Sequence, residues 1–452
     1  MTSPPKVPVI WPIMLLSRCW KTPLAAGRHL GVLLARWRLT GLWRHPEFMK
    51  LWLAQTISPF GSHITGTGLP LAALLTLGAT PGQMGLLAAV SSAPWLLFGL
   101  PAGAWVDRLR RRPVLIAADL GRALLLLTIP LAAVLGRLSL EHLFLVAVAA
   151  GTLDLLFEVA HRSYLPTLIH RENLLEGNSK LEASGAVAEI GGPAVVGAPV
   201  QAITAPFAIA FDALSFLVSA LLLGRIRTPE PPPARGEGGA SLWAQIGDGL
   251  RLVRGHDLLR LLVVSAAIGQ FFGMFIGSLY SLFAIRELGL TPVVVGVLIG
   301  VGGASALPGT MLAGPLTRRF GLGRTLVASL AIWVAATLLI PLAPPGPGGV
   351  DFLFASQLVG DIAAAVYFVN EVSLRQQVTP DHLLGRANAT THFVVVGAGP
   401  LGALAASALS SVVGVRPTLF VAAFGKLMAL AWILLSPLPG LREAPDRPAC
   451  WR

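Results

Sequence analysis

The sequence predicts an all-α integral membrane protein, twelve transmembrane helices arranged in two pseudo-symmetric six-helix bundles. Three observations carry that prediction. Hydrophobic residues make up 54% of the 452 and charged residues 12%, with a mean hydropathy of +0.72, a balance suited to lipid and not to water. Apolar runs of about 20 residues, the length that crosses a hydrocarbon layer, recur along the whole chain. One loop signature also occurs twice, 211 residues apart: Leu77, Gly78, Thr80, Pro81 and Gly85 return as Leu288, Gly289, Thr291, Pro292 and Gly296. A chain that repeats about half its length holds two copies of one module.

The elements follow in order. Residues 1–46 form a basic extension with no acid before Glu47. Its apolar run from Val7 to Leu16 is followed by no small-residue cleavage site, so it reads as a cytoplasmic segment resting on anionic headgroups. The first bundle, 47–224, holds spans at 50–76, 83–106, 113–136, 140–162, 180–202 and 205–224. A break at 225–257 combines the linker Pro229-Glu-Pro-Pro-Pro-Ala-Arg-Gly-Glu-Gly-Gly with an amphipathic stretch from Ser241 to His256, a flexible joint and a surface helix. The second bundle, 258–437, holds spans at 260–285, 292–316, 324–343, 351–374, 387–411 and 416–436, and a tail of 438–452 closes the chain.

Charge orients these spans, because cytoplasmic loops collect Lys and Arg. With the N-terminus inside, only Arg137, Arg286 and Arg416 of the 34 basic residues fall in outside loops, while Arg122 and Lys426 lie within spans. The opposite orientation inverts that ratio, so both termini are expected in the cytoplasm. The net charge of +12 is then a product of topology. A nucleic-acid partner is not expected, since no basic patch is joined to a DNA- or RNA-binding module. The only two cysteines, Cys19 and Cys450, fall in the cytoplasmic tails, and no structural disulfide is expected.

The loop after span two, Gly103-Ala-Trp-Val-Asp107-Arg108-Leu-Arg110-Arg111-Arg112, sets one carboxylate among several guanidinium groups at a helix end. Gly103 permits close helix approach, and Asp107 can accept hydrogen bonds from a helix N-terminus or an arginine. Its echo, Gly314-Pro-Leu-Thr-Arg318-Arg319, has no carboxylate. Further echoes are Glu158-Val-x-x-Arg162 with Glu371-Val-x-x-Arg375, and Gly192-Pro193 with Gly399-Pro400. In the first pair Glu and Arg are one helical turn apart and can bridge; the second suits kinked, closely packed helices.

Gly103-x-x-x-Asp107-Arg108-x-x-Arg111-Arg112 resembles the loop 2-3 signature of the major facilitator superfamily, and the resemblance covers residues 42 to 440. It is most similar to the branch that includes macrolide efflux proteins and the enterobactin exporter, through Leu51-Trp-Leu-Ala-Gln55, Ala118-Asp119-Leu-Gly-Arg122-Ala, Leu165-Pro166 with Leu174-Leu175 and Asn178, Gly192-Pro193, and Phe211-Asp212-Ala-Leu-Ser-Phe216. Arg110 stands where the signature usually has Gly, Arg318 replaces the carboxylate in the second copy, and Val196 replaces a Gly of the exporter-associated Gly-Pro motif. The resemblance implies a secondary transporter in a bacterial-type cytoplasmic membrane, working by alternating access as a monomer and exporting an amphipathic small molecule in exchange for protons. A siderophore or other secreted metabolite is the alternative cargo, and a non-transporting sensor or partner subunit is the alternative of another class.

On that reading Gly103, Asp107, Arg108, Arg111, Arg112, Glu158, Arg162, Gly314 and Arg319 form the inner gate and its anchors. Ionisable groups inside spans are costly and so are functional candidates. His63, Asp154 and Asp361 are the proton-coupling candidates. Asp119 and Arg122 are three apart on one face and can neutralise each other, and Asp212 serves structure or coupling. Gln55, His63, Gln270, Phe271, Tyr280, Gln357, Tyr367 and Asn370 are expected to line the cavity, and Gly192, Pro193, Gly399 and Pro400 to shape helices five and eleven. Enzyme chemistry is not expected. Gly397-Ala-Gly399-Pro-Leu-Gly402 lies within a span with no preceding strand, and no Walker loop is present. The nine histidines lack metal-ligand spacing, so neither cofactor nor metal is expected.

Overall fold

The computed structural model describes residues 41–230, 250–380 and 383–442, and every regular element among them is helical. Twelve α-helices of 20 residues or more follow one another: α1 Pro46–Leu71, α2 Pro81–Asp107, α3 Arg111–Val134, α4 Leu140–Leu168, α5 Leu174–Ile203, α6 Ala205–Gly224, α7 Asp257–Leu282, α8 Pro292–Phe320, α9 Leu322–Leu342, α10 Gly348–Val378, α11 Leu384–Val413 and α12 Val415–Leu434. Nine of the twelve are long and apolar enough to cross a membrane; the other three are α1, α2 and α5. Those three are interrupted by Ser, Thr, Gln, Gly or charged residues, the composition of helices that face polar space on one side. The basic extension up to residue 40, the cysteines and most of the amphipathic stretch lie outside the described residues, although 250–255 is helical.

The repeat read in the sequence extends into backbone detail. His45 caps α1 by accepting the Phe48 N–H at 3.1 Å, and His256, 211 residues later, caps α7 by accepting Leu259 N–H at 3.3 Å. Both helices end in a π turn, Ala72–Thr76 and Phe283–Glu287. Each then turns through a glycine of positive φ, Gly78 or Gly289, into a Thr-capped, proline-started helix. Several helices outrun their expected spans: α4 reaches Leu168, α5 begins at Leu174, α10 reaches Val378 and α11 begins at Leu384. Apolar run length reports only the part of a helix in hydrocarbon, whereas a helix end in water needs caps and no apolar residues.

Packing repeats as well. Helix α1 packs on α5 and α6, α3 on α4 and α6, and α2 on α4; α7 packs on α11 and α12, α9 on α10 and α12, and α8 on α10. Between the two sets the main seams are α2 with α11 and α5 with α8. Small residues allow these close crossings. A Cβ placed on Gly85 would lie 2.8 Å from the Ala403 carbonyl oxygen, and one on Gly303 would lie 3.1 Å from that of Glu189.

The apolar core is asymmetric along the helix axes. At the end away from the basic loops one continuous cluster joins both halves, from Leu69 and Met84 through Ile129 and Phe216 to Phe283, Leu298 and Ala406. At the basic-loop end the core divides. One cluster belongs to the first half, with Phe48, Leu115, Tyr164 and Leu223, and another to the second, with Leu262, Leu326, Leu374 and Ile433. The halves are therefore sealed together at one end and apart at the other.

Candidate functional site

Between the two separated clusters lies a vestibule of about 630 Å³. Its walls hold both copies of the Glu-Val-x-x-Arg motif: Glu158 and Arg162 on α4, bridged at 2.7 Å, and Glu371 and Arg375 on α10, bridged at 3.1 Å. Each bridge is internal to its helix, one turn long. His392 of α11 lines the same space and meets the Trp95 ring edge-on at 5.9 Å.

Trp95 also lines a central cavity of about 580 Å³, bounded by α1, α2, α3, α4, α6 and α7. Its chemistry centres on Arg122. The guanidinium donates to Asp154 at 2.8 Å and, more closely still, to Asp119 on its own helix. It is also sandwiched between the rings of Phe157 and Phe216, 4.4 and 4.0 Å away, a setting in which cation–π attraction is strongest because water is excluded. Asp119 is fully buried, whereas the Asp154 side chain is 50% exposed to the cavity. Asp212 also lines it, held by Ser215 Oγ at 3.0 Å. Gly61 on α1 lies against these two side chains, and a Cβ there would overlap both.

The expected Asp119–Arg122 pairing is present, but Arg122 also reaches across to Asp154, a partner 32 residues away. The other coupling candidates stand elsewhere. His63 packs on Gly192 of α5, where a Cβ would be 2.5 Å from its own, and Asp361 packs on Gly302 of α8. Of the expected cavity residues, Gln270 and Tyr367 line a side pocket in the second half. Phe271 and Tyr280 instead join the sealed core. Asn370 ties helices together, accepting from Thr317 at 2.6 Å and donating to the Val366 carbonyl at 2.8 Å. Gln357 donates to the Leu298 carbonyl at 3.4 Å, and Gln55 is half-buried on α1. Polarity alone does not separate a cavity wall from a helix–helix hydrogen bond, which explains these differences.

The loop signature folds back on its own half. Glu230 accepts the backbone N–H groups of Arg111 and Arg112 at 2.5 and 3.2 Å, so it caps α3. The Arg112 guanidinium donates to the last carbonyls of α6, those of Leu223 and Gly224. These contacts staple α3 to α6, which places both arginines of the expected inner gate and its anchors within the first half in this structure. Arg108 is exposed, Arg319 lies over the Phe320 ring at 5.5 Å, and the Asp107 side chain falls outside what is described. Among the described residues, Gly103 and Gly314 meet no neighbouring helix within 4 Å of a built Cβ, Gly314 approaching Arg318 at 3.4 Å. Helices α5 and α11 run unbroken through Pro193 and Pro400.

Comparison with known proteins gives the geometry a context. A family profile described as "Transmembrane secretion effector" matches residues 40–450. The chain is 28% identical over 420 residues to the multidrug efflux pump Tap of Mycolicibacterium fortuitum, covering 90% of this chain and 98% of that one. It is 22% identical over 376 residues to macrolide efflux protein A of Streptococcus pyogenes, covering 82% and 91%. Among solved structures, a bacterial homologue of the iron transporter ferroportin in its inward-facing state superposes with a TM-score of 0.70 at 18% identity, covering 87% of this chain and 99% of that one. Its outward-facing state gives 0.57 at 19% identity, covering 86% and 98%.

Proposed function

Since the chain belongs to the transmembrane secretion effector family of major facilitator transporters, we propose that it exports drug-like amphipathic small molecules by alternating access, driven by inward proton flow. Its twelve helices act as two six-helix bundles in the cytoplasmic membrane, with both termini inside. One observation carries this reading: the apolar core is continuous between the halves at one end and split by a vestibule at the other. The excess of Lys and Arg in the loops at the split end supports a cytoplasmic position for it, and on that orientation this is a state poised to take cargo from inside. Export as the direction is supported by the similarity to relatives named as efflux proteins.

The inner gate is the set of four charges on α4 and α10. When the vestibule closes, Glu158 and Glu371 exchange their local arginines for those across it, which trades one exposed bridge of small worth, Glu158–Arg162, and one buried bridge, Glu371–Arg375, for a network that spans both halves. Proton coupling is assigned to Asp154, because it alone of the three candidates combines exposure to the central cavity with a direct salt bridge. Protonation there releases Arg122 from one of its two carboxylates, and the buried Asp119 keeps the cation neutralised. His63 and Asp361 are packed against glycines at helix crossings and serve positioning.

The test is flux in proteoliposomes carrying an imposed pH gradient, with ciprofloxacin, an amphipathic drug that carries a carboxylate, as cargo. Asp154→Asn is expected to abolish gradient-driven flux while cargo exchange without a gradient persists. Uptake that ignores the gradient in the unmodified protein would refute the antiport reading.

A further inference from the structure

The second half contains a counterpart of the Arg122 site with its parts exchanged. Arg122 on α3 corresponds to Trp333 on α9, 211 residues on. Phe216 on α6 corresponds to Lys426 on α12, and Asp154 on α4 corresponds to Tyr367 on α10 in the register of the Glu-Val-x-x-Arg echo. The spatial contacts match. Arg122 lies 4.0 Å over Phe216, and Lys426 Nζ lies 4.4 Å over Trp333, so the cation and the ring have changed places. Trp333 lies beside Tyr367, ring centroids 6.4 Å apart, at the position where Arg122 of the first half bonds Asp154. The carboxylate of the first half is thus replaced by a phenol, whose hydroxyl is shared with Ser265 at 3.3 Å.

Lys426 is only 6% exposed and makes no ion pair among the described residues. Asp361 acts on it through space without bonding to it. Its side chain lines a pocket of about 170 Å³, with Gln270 and Ser265 as polar walls and Trp333 and Phe368 as aromatic ones. The pocket shares Ala266, Phe368 and Val395 with the vestibule, so cargo entering from the basic-loop side passes its mouth. A buried ammonium needs an anion to complete its interactions. In the first half the protein provides that anion itself.

From this we infer that Lys426, with Trp333 and Gln270, forms a subsite for the carboxylate of an aromatic or otherwise apolar acid, the charged end of the exported molecule. The ammonium pairs with the carboxylate, Gln270 can donate to its second oxygen, and Trp333 and Phe368 hold the adjoining ring. The inference rests on the transporter reading and narrows its cargo to molecules with an acidic end.

The test compares two probes of one shape and different charge, 2-naphthoate and 2-naphthamide, binding to the full-length protein in nanodiscs with empty nanodiscs as blank. The unmodified protein should bind the acid about tenfold or more tightly than the amide, as a charge-assisted contact requires. Lys426→Met, and the charge-balanced pair Lys426→Met with Asp361→Asn, should bring that ratio to about one, while Arg137→Gln, at an exposed cation remote from the pocket, leaves it unchanged. The paired variant decides the matter if the single one does not fold. Equal binding of acid and amide to the unmodified protein, binding of neither, or an unaltered ratio in the paired variant overturns the subsite. Gradient-driven flux without a preference for the acid defeats the subsite alone; preference without flux defeats the transport mechanism alone.

Discussion

Thr204 sits between α5 and α6 at φ 74° and ψ 155°, a region of backbone space occupied almost only by glycine. Its counterpart between α11 and α12 is Gly414, at φ 89° and ψ 173°. The first half therefore holds with a side chain a corner that the second makes without one. Relief of strain of about 1–3 kcal/mol, offset by the larger unfolded-state entropy of glycine, about 0.5–1 kcal/mol, sets the expectation. Thr204→Gly should raise unfolding free energy by about 1 kcal/mol, read as a higher thermal midpoint in detergent. An unchanged or lower midpoint would show that the side chain relieves its own strain.

At the scale of helices, the seam between α2 and α11 decides which end of the molecule is sealed. Gly85 is its tightest point, since a Cβ there would stand 2.6 Å from Ser407 Cβ as well as near the Ala403 carbonyl. Gly85→Leu must part the two helices and so favour the conformer open at the outer end. In a variant lacking both native cysteines, Ser91→Cys on the cavity wall should react with an impermeant maleimide from outside about tenfold or more faster when Gly85 is also replaced. Much of this level was legible in the residues themselves. Gly78 with Thr80 and Gly289 with Thr291 announce the same turn twice, and apolar runs locate the helices. The His45 and His256 caps were missed, although their shared offset of 211 was a readable signal. The Arg122–Asp154 bridge was not legible: it depends on how α3 and α4 are rotated about their axes, and sequence spacing reports positions within one helix only. Residues such as Asn370 and Gln357 look the same in sequence whether they face a cavity or a neighbouring helix.

For the whole molecule, the proposed alternating-access cycle requires that the seal at the end away from the basic loops open in every turn. A Cβ built on Gly82 lies 3.8 Å from that of Ser411 across the same seam, the separation typical of a disulfide. Gly82→Cys with Ser411→Cys should therefore lock the seal when oxidised, stopping flux in proteoliposomes, and release it when reduced. Flux that persists with the bond formed would mean that cargo moves without separation of α2 from α11.

The two seams, α2 with α11 and α5 with α8, change into each other when the helices of one half are renumbered as those of the other. That is the contact pattern of a two-fold dimer, in which one patch meets its own copy. In a dimer of identical subunits every residue occurs twice, so a carboxylate at the position of Asp154 would face another in the partner. Only after fusion into one chain could mutation place an acid in one chamber and Lys426 in the other. Covalent linkage thus permits a polarity of charge that no pair of equal subunits can have, and with the proposed subsite at Lys426 it would let the transporter tell one end of its cargo from the other.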